Sequence, residues 1–99
     1  MEKNGIGKLY DFTGDLEYEG EFLNGEKNGK GKFFDCMGEV EYEGEYLNGE
    51  RNGKGKEYDF EHILVFEGEY LNGKKWNGKG YDMRNNEVYE LDNGNGFNR

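Results

Sequence analysis

Residues 18–32, YEGEFLNGEKNGKGK, return at 42–56 as YEGEYLNGERNGKGK and again from Phe66 as FEGEYLNGKKWNGKG, so the chain repeats with a period of 24 residues. A fixed period of this size marks one small supersecondary unit stacked on copies of itself, each burying a face that it could not bury alone. Within Tyr18–Phe22 the side chains alternate with period two, which puts Tyr18, Gly20 and Phe22 on one face of a strand and Glu17, Glu19 and Glu21 on the other. The next segment, Leu23–Gly29, holds two Asn-Gly pairs, and such pairs reach the positive φ angles of tight turns with little strain, so the chain is expected to reverse there. A return strand over Lys30–Phe34 then sets Lys30 and Lys32 across from Glu19 and Glu21, pairs that fix register more than stability. A second turn, Asp35-Cys36-Met37-Gly38-Glu39, leads into the next Tyr-Glu-Gly strand.

Composition excludes most alternatives. Apolar residues are only 32% of the chain and the net charge is −9, a balance that by itself points to disorder. The aromatic fraction, however, is 16%, and the rings recur in register, so aromatic packing must supply the cohesion. Glycine occurs 18 times at repeat positions, and no window between them can sustain an ordinary helix. The expected fold class is therefore all-β: a single-layer, elongated antiparallel meander of tandem hairpins, with about seven or eight short strands at ~4.8 Å spacing. The array divides into a half repeat at 4–17, repeats at 18–41, 42–65 and 66–88, and a degenerate cap at 89–99, together one domain over 1–99. Two explanations of the atypical ends stay open: true caps, or a piece of a longer array with Met1 added.

The residues quoted above resemble the MORN repeat (membrane occupation and recognition nexus), written Y-x-G-x-W-x-x-G-x-x-x-G-x-G. Two departures stand out. The family's Trp is Phe22, Tyr46 and Tyr70 here, and the unit is one residue longer, the extra residue lying between Gly31 and Tyr42 and expected to lengthen a turn or add a bulge. The resemblance implies a binding or scaffolding module that is not catalytic by itself, and an association with anionic phospholipid.

The residues give chemistry little to work with. His62 stands where Gly14, Gly38 and Asn85 stand after the preceding aspartate, which makes it a turn residue adopting φ > 0. Cys36 aligns with Phe12 and Phe60 in the same turn, with no histidine nearby to activate it. With no serine, one threonine, one histidine and one cysteine, no nucleophile–base arrangement can be assembled, and the glutamates are regularly spaced and solvated. Gly29-Lys30-Gly31-Lys32 lacks the Walker spacing, and the 92–96 segment lacks the twelfth-position glutamate of an EF-hand. No enzyme activity, cofactor or metal is expected. A lone cysteine and the lack of a long apolar run point to a reducing, cytoplasmic setting.

The expected function is protein–protein interaction or scaffolding. Tyr18, Phe22, Tyr42, Tyr46, Phe66 and Tyr70 would form a partly uncovered aromatic trough for a peptide or helix, a basic one included, with Tyr46 and Tyr70 at its centre. Trp76, inserted in a hairpin loop, would either anchor the partner or fold back over the last ring. Each full unit over 18–41 and 42–65 carries six acidic and three basic side chains. That charge disfavours phospholipid and direct nucleic-acid binding but permits an acidic rod that inhibits a basic partner. Unpaired terminal strands leave edge-to-edge self-association open.

Overall fold

In the computed structural model, which describes residues 4–98, the alternation becomes nine strands: β1 (Gly5–Tyr10), β2 (Leu16–Leu23), β3 (Glu26–Phe34), β4 (Val40–Leu47), β5 (Glu50–Tyr58), β6 (Leu64–Leu71), β7 (Lys74–Tyr81), β8 (Glu87–Asp92) and β9 (Asn95–Asn98). They pair antiparallel, in chain order, in one sheet with extents of 47 × 28 × 17 Å. The strands outnumber the seven or eight expected because Asn93-Gly94 makes one more tight turn and returns β9 along β8.

The two Asn-Gly pairs of each repeat have different tasks. Asn24-Gly25, Asn48-Gly49, Asn72-Gly73 and Asn93-Gly94 each have positive φ at both residues, 49–52° for the asparagines and 80–86° for the glycines, and form two-residue turns. The second pair, Asn28-Gly29 or Asn52-Gly53, is not part of the reversal. It lies inside β3 or β5, where the ladder shifts register between Gly20 and Phe22 or between Gly44 and Tyr46. That bulge corrects one expected pairing: Lys32 does face Glu19, but Lys30 does not face Glu21. The Glu21 carboxylate instead accepts the Lys30 backbone N–H at 2.7 Å, and Glu45 does the same for Lys54 at 2.6 Å. Lys30 lies across from Glu45 in the next repeat.

The second asparagine also ties repeats together. The side-chain oxygens of Asn4, Asn28, Asn52 and Asn77 accept the backbone N–H of Asn24, Asn48, Asn72 and Asn93, the turn residues of the following hairpin. At the other edge the extra residue of the unit is absorbed as a bulge, between Phe33 and Phe34 opposite Val40 and Tyr42, and at the corresponding places in the other repeats.

The core is one ring deep. Tyr18, Phe22, Tyr42, Tyr46, Phe66 and Tyr70 are 0–5% exposed. They run as a file, Phe22–Tyr18–Tyr46–Tyr42–Tyr70–Phe66, with centroids 5.1–5.5 Å apart and planes at 81–89°, the edge-to-face geometry that aromatic quadrupoles favour. Tyr89 continues the file face to face on Phe66 at 6.3 Å. Tyr18 and Tyr42 lie over the strand glycines: a Cβ on Gly31 would meet the Tyr18 ring, and one on Gly55 the Tyr42 ring. Their hydroxyls donate to the Glu21 and Glu45 carbonyls at 3.0 and 2.9 Å, which the bulges leave accessible.

Repeat three departs from this in a coherent way. Its ring is Phe66, with no hydroxyl to donate, and β7 has no counterpart of Gly53-Lys54, so Gly78 sits opposite Gly68 as Gly55 sits opposite Gly44. Asn77 then fills two roles, donating to the Glu69 carboxylate at 3.1 Å and accepting from Asn93.

Gly44→Ala tests the glycine rows, because its Cβ would fall 2.5 Å from both the Gly55 Cα and the Lys54 carbonyl oxygen. Overpacking of this kind costs about 1–3 kcal/mol, and each kcal/mol lowers the Tm of a domain this size by roughly 4–8 °C. Gly38→Asn, at φ 82° with open space around it, should melt like the wild type, since Asn85 adopts φ 62° at the same turn position.

Candidate interaction surface

The six rings expected to line an open trough are the core. At 0–5% exposure they have no free area to offer, because they are closed off by their neighbours in the file and, over Tyr18, Tyr42, Tyr46, Phe66 and Tyr70, by a second layer. That layer is basic. Lys27, Arg51 and Lys75, the second residue after each turn, lie over the rings: the Lys27 ammonium is 5.3 Å from the Tyr18 centroid, the Arg51 guanidinium 4.3 Å from Tyr42, and the Lys75 ammonium 5.0 Å from Phe66. Arg51 pairs with Glu41 at 3.4 Å and Glu57 at 3.3 Å, Lys75 also reaches Glu57, and the Tyr70 hydroxyl donates to Glu57 at 2.9 Å. The expected aromatic contact surface is thus a sealed stack of rings, cations and carboxylates.

Trp76 is in strand β7, not in a loop, and is half-buried. Its ring covers the next turn, where a Cβ on Gly94 would stand 3.0 Å from the indole, and its carbonyl accepts the Gly94 N–H.

The opposite face carries alternating charge. Lys8, Glu19, Lys32, Glu43, Lys56, Glu67, Lys79 and Glu90 are successive cross-strand neighbours from β1 to β8. Ion pairs of 3.7–3.9 Å form at Lys8–Glu19, Lys32–Glu43 and Lys56–Glu67, all between repeats. Half-exposed pairs such as these add little stability but set which strands meet.

One long edge of the sheet has a different character. Here the strands reverse through turns that begin at Asp11, Asp35, Asp59 and Asp82, and each turn is built on its aspartate. The Asp N–H and C=O bond residues i+4 and i+3, and Oδ1 accepts the N–H groups of i+2 and i+4, all at 2.8–3.0 Å. The Thr13 hydroxyl above all lowers the Asp11 pKa, and backbone N–H bonds from Asn86 and Arg84 lower that of Asp82, so both remain ionised. His62 has φ 61° here, as its place among Gly14, Gly38 and Asn85 implied. Phe12, Met37, Phe60 and Met83 project from these turns, each at least 72% exposed.

Sequence reasoning overlooked this edge, although its signal is present: Tyr-Asp-Phe at 10–12 and 58–60, Phe-Asp-Cys-Met at 34–37 and Tyr-Asp-Met at 81–83 set apolar residues on both sides of every turn aspartate. Clefts separate successive turns, one lined by Leu16, Phe34 and Met37, another by Tyr58, Leu64, Tyr81 and Met83. The four turn segments, 11–15, 35–39, 59–63 and 82–86, hold seven carboxylates and one guanidinium, a net of −6 out of −9 for the whole chain. Among the described residues no cluster of His, Cys, Asp or Glu could hold a metal ion.

A family model for the MORN repeat matches residues 18–40 and 42–59, within the first two full repeats. The chain is a MORN-repeat protein. Such repeats are generally involved in protein or membrane interactions and are a non-catalytic repeat type. No curated protein matches the chain significantly.

Two outcomes follow from this geometry. Burial pushes the Tyr18 phenol up to about 12 and raises those of Tyr42, Tyr46 and Tyr70, the last also through the Glu57 carboxylate. In the unfolded chain these phenols ionise near 10. Unfolding therefore releases protons above that pH, and the phenols' contribution to stability, constant below it, falls as pH rises from about 10 towards about 12. With Tyr10, Tyr58, Tyr81 and Tyr89 replaced by phenylalanine, the phenolate absorbance of Tyr18, Tyr42, Tyr46 and Tyr70 should rise in one cooperative step together with loss of the β-sheet circular dichroism; a rise ahead of that loss would mean that the rings are accessible. Asp35→Ala should cost about 1–3 kcal/mol in denaturant melts by orphaning two N–H groups, with Asp35→Asn retaining most of the stability.

Proposed function

We propose that this chain is a non-enzymatic protein-interaction or scaffolding module whose contact surface is the aspartate-turn edge. The observation that carries this reading is that each of the four hydrogen-bonded turns holds out a large apolar side chain, Phe12, Phe60 and Met83 directly after the turn aspartate and Met37 one place further on. Nothing in the folding of the sheet needs them there. The rings supply the cohesion, and the turns are closed by the aspartates' bonds with backbone, joined by the Thr13 and Asn86 side chains in the first and last turns. Apolar side chains kept in water at regular intervals, amid charge, suit recognition of another macromolecule.

Charge favours protein over membrane. A leaflet of anionic lipid attracts juxtaposed Lys and Arg at about 1 kcal/mol each and repels carboxylates by the same field. An edge with a net of −6 would meet that repulsion at the very residues available for insertion. The same acidity supports a basic partner, which keeps inhibition of a basic, nucleic-acid-binding protein as a special case of the reading.

The test is affinity capture from native extract with the immobilised chain, run beside co-sedimentation with phosphatidylserine-containing vesicles. A protein should be retained specifically and should elute as ionic strength rises through the range where the Debye length falls from about 10 Å to about 3 Å. Vesicle binding without a retained protein would overturn the proposal.

A further inference from the structure

Asn-Gly occurs nine times in the chain. In this dipeptide no side chain on the second residue hinders attack of its backbone nitrogen on the asparagine carboxamide, so it is the sequence most open to spontaneous deamidation. The reaction has two requirements. The asparagine Cγ must swing onto the next backbone nitrogen, and that nitrogen must be free to lose its proton to water.

The sheet denies one requirement or the other at nearly every pair. In the hairpin turns the nitrogen is engaged: Gly49, Gly73 and Gly94 donate their N–H groups to the carbonyls of Lys27, Arg51 and Trp76 at 2.8–2.9 Å. At the second asparagine of each unit the carboxamide is engaged instead, since Asn4, Asn28, Asn52 and Asn77 each hold a turn N–H of the following hairpin at 2.7–3.4 Å. Both sets of bonds run between repeats, so stacking itself is the protection.

Asn95-Gly96 has neither restraint. Both residues are exposed, and the Asn95 carboxamide has no hydrogen-bond partner among the described residues. Asp92 and Asn95 close the two-residue turn, so that pair carries the ladder bonds and the following pair, Leu91 with Gly96, does not. The Gly96 N–H is therefore turned away from β8, on the outer side of the last strand of the sheet.

We propose that Asn95-Gly96 is the site at which the folded chain deamidates, and that the change detaches β9 from β8. The deprotonated Gly96 nitrogen attacks the Asn95 Cγ, a C–N bond forms, and the carboxamide nitrogen leaves as ammonia. Water then opens the resulting succinimide. Attack at Cγ breaks the new C–N bond and leaves aspartate; attack at the main-chain carbonyl breaks the original peptide bond and leaves isoaspartate, whose backbone is one methylene longer. Either product sets a carboxylate directly across from Asp92, and the extra methylene throws Gly96, Phe97 and Asn98 out of register with Leu91, Glu90 and Tyr89. This inference is independent of the aspartate-turn edge, and its failure would leave the interaction reading untouched.

The test incubates the full chain at mildly alkaline pH, folded and in guanidinium chloride, and maps both samples by proteolysis and mass spectrometry for the amide-to-acid mass gain and for isoaspartate. Folded, Asn95 should convert faster than Asn28, Asn52 or Asn72 by about tenfold or more, the gap expected between an open edge and amides that react only through local opening. In denaturant the pairs should convert at comparable rates. Gly96→Ala keeps the fold, because Gly96 does not take a positive φ and a Cβ there would stand 3.4 Å from the Leu91 Cδ2, an ordinary contact. The methyl group hinders ring closure, so this variant should lose most of the conversion at Asn95. In heavy-oxygen water the product should carry one solvent oxygen. After separation by anion exchange, the isoaspartyl form should exchange its β8–β9 amides faster than the unconverted chain, with the rest of the sheet unchanged.

A turn or bulge pair converting ahead of Asn95, an undiminished rate in Gly96→Ala, or equal preference for Asn95 in denaturant would overturn the inference. So would β8–β9 amides that stay as protected after conversion as before.

Discussion

A tyrosine ring laid flat over the bare backbone of two paired glycines is the contact on which the sheet depends. Gly20 and Gly31 face each other across β2 and β3, and the Tyr18 ring occupies the space where their side chains would be. The absence of Cβ atoms lets the ring descend onto the ladder, and its hydroxyl then reaches the carbonyl at the bulge. Everything else in the repeat follows from that descent. The ring becomes buried in a structure one layer thick, the next repeat's ring can pack edge-on against it at 5.2 Å, and a basic side chain can close the stack from above. A chain with only 32% apolar residues folds this way because glycine, aromatic and cation together make a core that aliphatic packing of this size could not supply.

The departures in the last units obey the same contact. Where the ring is Phe66, no hydroxyl is available for the bulge, and the bulge is smaller, with Asn77 binding both Glu69 and the next turn. Where the glycine two residues after the ring is replaced by Leu91, Tyr89 lies instead over Gly80 directly across the ladder, and its contact with Phe66 changes from edge-on to stacked. Loss of one element of the contact is thus answered by a rearrangement of its immediate neighbours.

How much of this was legible depended on whether the deciding partner was near in sequence. The 24-residue period and the Tyr-Glu-Gly alternation led directly to a one-layer meander, and the aspartate-relative alignment placed His62 at positive φ. The two Asn-Gly pairs, in contrast, look alike locally, and only the cross-strand partner makes Asn24-Gly25 a turn and Asn28-Gly29 a bulge. The rings were read as open because no second layer is visible in the sequence. The cover is in fact supplied by Lys27, Arg51 and Lys75, charged residues that a hydropathy reading assigns to solvent. The exposed edge was missed for the opposite reason: its apolar residues lie in turns, where hydrophobic periodicity carries no signal.

The order of the strands has a mechanical meaning as well. Because β1 to β9 are laid side by side in chain order, the long axis of the molecule runs along the interstrand hydrogen bonds and across the strands. Tension applied between the two ends is carried by the ladders in series, so each feels the full load and none shares it with another. Such an array peels one hairpin at a time, releasing length in steps set by the repeat, where a sheet sheared along its strands would resist as a block. This makes the array a compliant link under tension, and anything that spanned neighbouring turns would stiffen it.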